Sequence, residues 1–270
     1  MTMLFHPREP VEQSAIAALR CIDGATRVPI DGPLDVEVAR STVRRNRSGL
    51  YVIASAAALP GFDAAFPQQP ADPPIGSLSL RAVLRDPTGR YLPRSASIAL
   101  PRDPSPANAA QASSLFRPLD LAMYAGSAAP TEVNWSVLRV SVSDSASGDA
   151  LGGVLLRVLQ GAVVLARGMT DWRGEALVAV PGVPVTTWSD DPNAVVVDAI
   201  NAQLDVTADT TALQRVAIAD VRAGRPPASP PVSDPDALEA AAGPGFRRQV
   251  LAVVLRAGRS QAIPFSVVLP

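Results

Sequence analysis

Proline constrains this chain more than any other feature: 27 prolines fall among its 270 residues, together with 18 glycines, against a usual proline share of roughly 5%. An interior proline removes a helical hydrogen bond and clashes with the preceding turn, so the fold has to be assembled from short elements. The intervals between prolines can still build a core, because 47% of the residues are hydrophobic. The 24 basic and 25 acidic residues nearly cancel, a balance that suits folded domains rather than a disordered chain. Every basic residue is an arginine. The absence of lysine excludes a Schiff-base lysine, a phosphate-loop lysine and a catalytic lysine pair.

Other scarcities narrow the chemistry further. His6 is the only histidine and Cys21 the only cysteine, so an internal disulfide is impossible and a His/Cys zinc cluster has no material. The segment Met1 to Pro10 carries His6, Arg8 and Glu9 where a secretory signal needs an apolar core, and no later run of about 18 apolar residues occurs. The expectation is a leaderless protein made in the cytoplasm, without a membrane span. With a net charge of −1 and 4% aromatic residues, neither a polybasic footprint nor a base-stacking platform stands out, and nucleic acid is not an expected partner.

Between the prolines the apolar period is mostly two, as in half-buried strands. Val137, Leu138, Val140 and Val142 alternate with Arg139, Ser141 and Ser143 up to a turn at Asp144 to Asp149. Runs follow at Val154 to Leu159 and Val163 to Arg167. The turn Asp171-Trp172-Arg173-Gly174 then leads into Ala176 to Val180, which stops at Pro181-Gly182. Val195 to Val206 and Val250 to Leu255 read as further strands, and the latter turns at Ala257-Gly258-Arg259 and returns through Ile263, Phe265, Val267 and Leu269. The stretch from Arg222 to Arg248 holds Pro226, Pro227, Pro230, Pro231 and Pro235 among its residues and is expected to be a binding arm or a loose loop. Within it, Asp234 is placed to cap a short helix starting at Pro235.

The first half looks like a diverged copy of the second. Leu19 to Thr26 lines up with Leu138 to Ser147 when two extra residues are allowed, and Pro29-Ile30 with Ala150-Leu151. Asn46-Arg47-Ser48-Gly49 before Leu50 to Ile53 matches Asp171 to Gly174 before Glu175 to Val178. Three matches in the same order point to a tandem duplication. Leu78 to Leu84, Ala96 to Leu100 and Leu119 to Tyr124 would complete the first copy. The expected fold is all-β, two tandem antiparallel β-sandwiches with long proline-rich loops. Its expected parts are an N-terminal segment (1–14), a first sandwich (15–128), and a second (133–270) with an insertion at about 222–248.

The segment Val137 to Pro181 resembles the carboxypeptidase regulatory-like domain, a transthyretin-like member of the Ig-like sandwiches. The features that carry the resemblance are the strand ending at Asp144, Leu151-Gly152-Gly153 before the next strand, and Thr170 to Gly174 before the strand ending Val180-Pro181-Gly182. The turn Leu255 to Arg259 with its apolar return is similar to that family's last hairpin. The resemblance implies a non-catalytic spacer, stability module or adhesive unit, as such modules typically are in that family, while the motifs that carry it are turns rather than reactive groups and speak to fold more than to function.

Candidate site residues are few. His6, beside Pro7, reads as a tail residue, and Cys21 as a small buried hydrophobe. Asp144, Ser147 and Asp149 share one turn, and Asp190, Asp191 and Asp198 lie near another. Both groups hold oxygen ligands of the kind calcium takes, but they are ordinary turn formers too. No metal or cofactor is expected. Trp135 reads as core, whereas Trp172 at a hairpin tip and Trp188 in a loop are candidate contact residues. Arg44, Arg45 and Arg47 at one hairpin, the series Arg81, Arg85, Arg90 and Arg94, and the pair Arg247-Arg248 are candidate interface arginines. The expected function is non-enzymatic: a structural docking protein of a bacterial system that contacts other protein subunits, as in a phage tail or tail-like contractile injection particle. The alternative is a carbohydrate- or surface-binding adhesive module using Trp172 and Trp188. A carboxylate-dependent hydrolase ranks third.

Overall fold

The computed structural model describes residues 15–60, 62, 73–184 and 199–269, and within them the chain is all-β. In chain order the strands are β1 (Ala17–Asp23), β2 (Asp35–Val38), β3 (Ser41–Arg45), β4 (Tyr51–Ala56), β5 (Leu78–Arg85), β6 (Arg94–Leu100), β7 (Leu119–Met123) and β8 (Ser136–Asp144). They continue as β9 (Ala150–Gly152), β10 (Leu155–Gln160), β11 (Val163–Met169), β12 (Glu175–Val180), β13 (Ile200–Asp209), β14 (Gln214–Val216), β15 (Phe246–Leu255) and β16 (Ser260–Val267). Two short helices, α1 (Ile218–Arg222) and α2 (Pro235–Ala240), both follow β14.

Two compact units divide the chain: one takes Met1–Leu19, Val38–Leu80 and Ala99–Leu119, the other Arg20–Glu37, Arg81–Ile98 and Asp120–Pro270. The second unit therefore includes two stretches that precede Pro130. In the first unit, β3 and β4 form an antiparallel hairpin, and β4 pairs in turn with the start of β1, Ala17 opposite Ile53 and Leu19 opposite Tyr51. Leu19 and Ile53 are fully buried there.

The second unit holds the larger core. Its sheets run β11-β10-β13-β15 and β12-β8-β9-β14, with β16 alongside β8. The alternation in β8 does what period two dictates: Leu138, Val140 and Val142 are buried while Arg139 and Ser141 are exposed. Those side chains share one apolar cluster with Leu156 and Val158 of β10, Leu204 and Val206 of β13, Val178 of β12 and Leu255 of β15. Burying a side chain of this size contributes about 1.5–3 kcal/mol relative to leaving it in water.

Two local expectations differ from what forms at the end of the chain. The turn after Leu255 does not return as a hairpin, because β15 pairs antiparallel with β13 whereas β16 crosses to the other sheet and pairs parallel with β8, Ser260 opposite Val137 through Val267 opposite Asp144. Pro264 sits within β16 and has no N–H to donate, which suits a strand with a partner on one side only. The 222–248 excursion is also no loose arm. Its last residues already belong to β15, and its middle is fastened down. Ser95 N donates to Ser233 O (2.9 Å) and Arg81 Nη2 to Val232 O (3.2 Å). Gly153, at φ +81°, lets this segment pass, since a Cβ there would lie 2.4 Å from Ser233 Oγ. Helix α2 begins where the sequence places it, with the Asp234 side chain accepting from Asp236 N and Ala237 N.

The turns matched between the two halves carry the same hydrogen bonds. Asn46 Oδ1 accepts from Ser48 N and Leu50 N (3.0 and 2.9 Å), and Asp171 Oδ1 accepts from Arg173 N and Glu175 N (2.8 and 3.1 Å). Each turn ends in a glycine of positive φ, Gly49 at 78° and Gly174 at 73°. The other pair agrees as well: Asp23 N donates to Val28 O and Arg27 N to Asp23 O, while Asp144 N donates to Asp149 O and Gly148 N to Asp144 O. Arg27 takes the positive φ (64°) that Gly148 takes (75°).

Candidate functional site

Three loops of the second unit wall an open groove of about 710 Å³: Asp23 to Leu34, Asp86 to Tyr91, and Ala129 to Glu132. Pro29, Pro33, Pro87 and Pro130 lie in these walls, and Met123, Leu177 and half-buried Trp135 add apolar surface. Proline fixes φ, so the walls are held in shape before anything enters.

Tyr91 ties two of the loops together. Its hydroxyl donates to Asp23 Oδ2 at 2.8 Å, and its backbone N donates to Asp86 Oδ2 at 3.0 Å. Each aspartate also closes its own turn. Asp23 Oδ1 accepts from Ala25 N and Thr26 N, both at 2.9 Å, and Asp86 Oδ1 accepts from Thr88 N at 2.8 Å. Burial works to raise both carboxyl pKa values, but it is outweighed. Hydrogen bonds from Thr26, Tyr91 and Ala25 leave Asp23 below the ordinary range, and those from Thr88, Tyr91 and Arg90 do the same for Asp86. Burial, reinforced by the bond to Asp23, pushes the Tyr91 phenol well up. A general acid at neutral pH needs a carboxyl raised toward 7. These two carboxylates lie below that range and accept hydrogen bonds from their own loops, which fixes the shape of the groove walls.

A second constellation holds α2. Arg94, 1% exposed, donates to Asp236 Oδ2 at 2.7 Å and to Ala122 O at 2.8 Å. Arg167 grips Glu239 through two bonds, Nε to Oε2 at 2.7 Å and Nη2 to Oε1 at 2.8 Å. Arg157 reaches Glu239 Oε1 at 3.3 Å and makes a close ion pair with buried Asp205. A planar guanidinium presents a donor fork to carboxylates, so three arginines from β6, β10 and β11 seat three acids of the excursion and β13. The Arg167 fork, opposed in part by burial, holds the Glu239 carboxyl below its usual value of 4.5. A folded-state pKa below the unfolded one stabilises above the unfolded value and loses that contribution as pH falls through the folded one. The protection of the Leu238 and Ala241 amides, measured against intrinsic exchange at each pH, is therefore expected to fall as pH drops below about 4.5, and Glu239→Gln should remove most of that pH dependence; unchanged dependence would refute the assignment.

The residues singled out in the sequence fall in separate places. Arg44, Arg45 and Arg47 are exposed on the β3–β4 hairpin, with Arg45 over the Tyr51 ring at 6.0 Å. Arg247 donates to Pro244 O and Phe246 O, and Arg248 to Thr207 Oγ1 and Glu239 O. Trp172 is half-buried beside Pro230 and Pro231, with Arg173 6.0 Å from its ring. His6, Trp188, Asp190, Asp191 and Asp198 lie outside the described residues. Cys21 is buried in β1. The Asp144 carboxylate is occupied by Ala146 N and Ser147 Oγ, and no cluster of three or more metal-ligating side chains occurs among the described residues. Arg157 and Arg167 gave no signal in the sequence, because an arginine inside an apolar strand run shows its partner only after folding. No described helix is long and apolar enough to cross a membrane.

No family model matches the chain, and no curated protein matches it.

Proposed function

We infer that the chain is a non-enzymatic docking protein of the carboxypeptidase regulatory-like kind, two diverged tandem β-sandwich modules that hold other protein subunits together. The observation that carries this reading is the groove beside Tyr91, whose aspartates lie below the ordinary carboxylate range and are bonded within the walls. Such a groove offers a visitor apolar surface, a preformed shape and the exposed charged side chains of Asp31, Arg90 and Glu132, which suits a loop or extended segment of another protein. The shared turn hydrogen bonds of Asn46 with Asp171 and of Asp23 with Asp144 support the duplication. A phage tail or tail-like contractile injection particle is the kind of multi-subunit assembly in which such modules serve.

The test is velocity sedimentation of extracts from the native host. The chain should travel with an assembly much heavier than itself, and Thr131→Trp, which fills the groove from one wall, should move it to the light fractions. Wild-type protein found only in light fractions would overturn the docking reading.

A further inference from the structure

The charges around the groove do not balance. Asp23 and Asp86 line it half-buried, and Asp31 and Glu132 line it exposed. Two arginines stand against these four carboxylates. Arg167 is already engaged with Glu239 through two bonds, which leaves Arg90, exposed and 5.4 Å from the Tyr91 ring. Among the described residues, Asp23, Asp86 and Glu132 enter no ion pair. The hydrogen bonds to Asp23 and Asp86 fix where their charges sit without cancelling them, because the donors are neutral amides and hydroxyls. A concave site lined mostly by one sign of charge focuses its field, so this groove attracts cations.

One wall carries a place for such a cation. Trp135 N donates to Glu132 O at 3.2 Å, which makes these residues the two ends of one tight turn, and both line the groove. A carboxylate and an indole presented by a single turn suit an arginine or a lysine, since the ring face attracts the cation and the carboxylate pairs with it. Apolar surface lies close by: Val133, inside the same turn, is 93% exposed, and Val28, on the Asp23 to Leu34 wall, is 58% exposed.

The chain's own segments outside the described residues lack the complementary charge. Residues 63–72 contribute Asp63 and Asp72, and residues 185–198 contribute Asp190, Asp191 and Asp198, with no arginine in either. In residues 1–14, Arg8 stands against Glu9 and Glu12. We propose that the groove takes an extended segment of a partner protein bearing an arginine or lysine among apolar residues, with its cation held at Glu132 and Trp135. This rests on the docking reading and names the chemistry of what docks.

Panning of phage-displayed random peptides on the immobilised full chain tests it. The selected peptides should be rich in arginine and lysine and poor in acids, and their affinity, read by fluorescence anisotropy, should fall with added salt. Glu132→Arg should weaken the dissociation constant by about tenfold, whereas Arg90→Gln should tighten it by about threefold. Both side chains are exposed, and a loss of folding could not move affinity in opposite directions. Thr131→Trp should abolish binding. Failure to select any peptide, selection of neutral or acidic ones, or basic peptides indifferent to Glu132→Arg and Thr131→Trp would each overturn the proposal. None of these outcomes bears on the docking reading, which sedimentation from native extracts decides by itself.

Discussion

Replacing Arg94 with alanine is expected to destabilise the second unit by about 3 kcal/mol, since truncating a buried, hydrogen-bonded side chain leaves the carbonyls it serves without their donor and opens a cavity. The side chain is 1% exposed and serves Asp236, Ala122 O and its neighbour's carbonyl, Ser95 O. Alanine would leave Ala122 O without this donor and open a void where the long stem packs. The reciprocal change is expected to be mild: Asp236 is 66% exposed, so Asp236→Asn should cost no more than about 1 kcal/mol. Arg94→Lys should recover only part of the loss, because an ammonium cannot reproduce the fork. Denaturant unfolding of the three variants checks the ranking; an Asp236 variant as damaging as the Arg94 variant would refute it.

A comparable loss is expected from Gly174→Ala. At φ +73° an alanine pays about 1 kcal/mol for the left-handed backbone alone. Its Cβ would also meet Val142 O at 2.4 Å and Leu151 N at 3.1 Å, so β8 and β9 would have to part. The total is expected near 3 kcal/mol. Gly49 supplies the internal control. It ends the matching turn at φ +78°, but a Cβ there would meet nothing nearer than Arg45 Nη2 at 3.5 Å, so Gly49→Ala should cost only the backbone share, about 1 kcal/mol. Thermal unfolding of both variants separates strain from collision; equal losses would mean that the Val142 contact relaxes freely.

These two sites show what was legible from sequence. The turn at Asp171 to Gly174 was readable because Asx-led turns closed by glycine are local chemistry. The cap of α2 at Asp234 was readable for the same reason. Strands β8, β10, β11 and β12 announced themselves by alternation or by dense apolar runs. The short strands β2 and β9 did not: Asp35–Val38 carries two acids among four residues, and Ala150–Gly152 is buried throughout, so neither shows a period of two. Partners were harder still. Periodicity identifies a strand but not its neighbour, which is why β16 looked like the return of a hairpin. The seating of the excursion could not be read either, since Arg94, Arg157 and Arg167 come from three strands distant in sequence from the acids they hold.

The parallel alignment of β16 with β8 bears on how the second unit is born. As the chain leaves the ribosome, β8 emerges early, yet the strand that lies along it from Val137 to Asp144 is not made until synthesis passes Val267. Until then that flank of β8 is open and the Val267 side chain, 1% exposed once folded, is missing from the core. Contacts this remote in sequence are slow to form. The nascent unit must therefore wait with an unsatisfied edge, which is when a chaperone, or an early encounter with another nascent strand, would have the greatest influence on its fate.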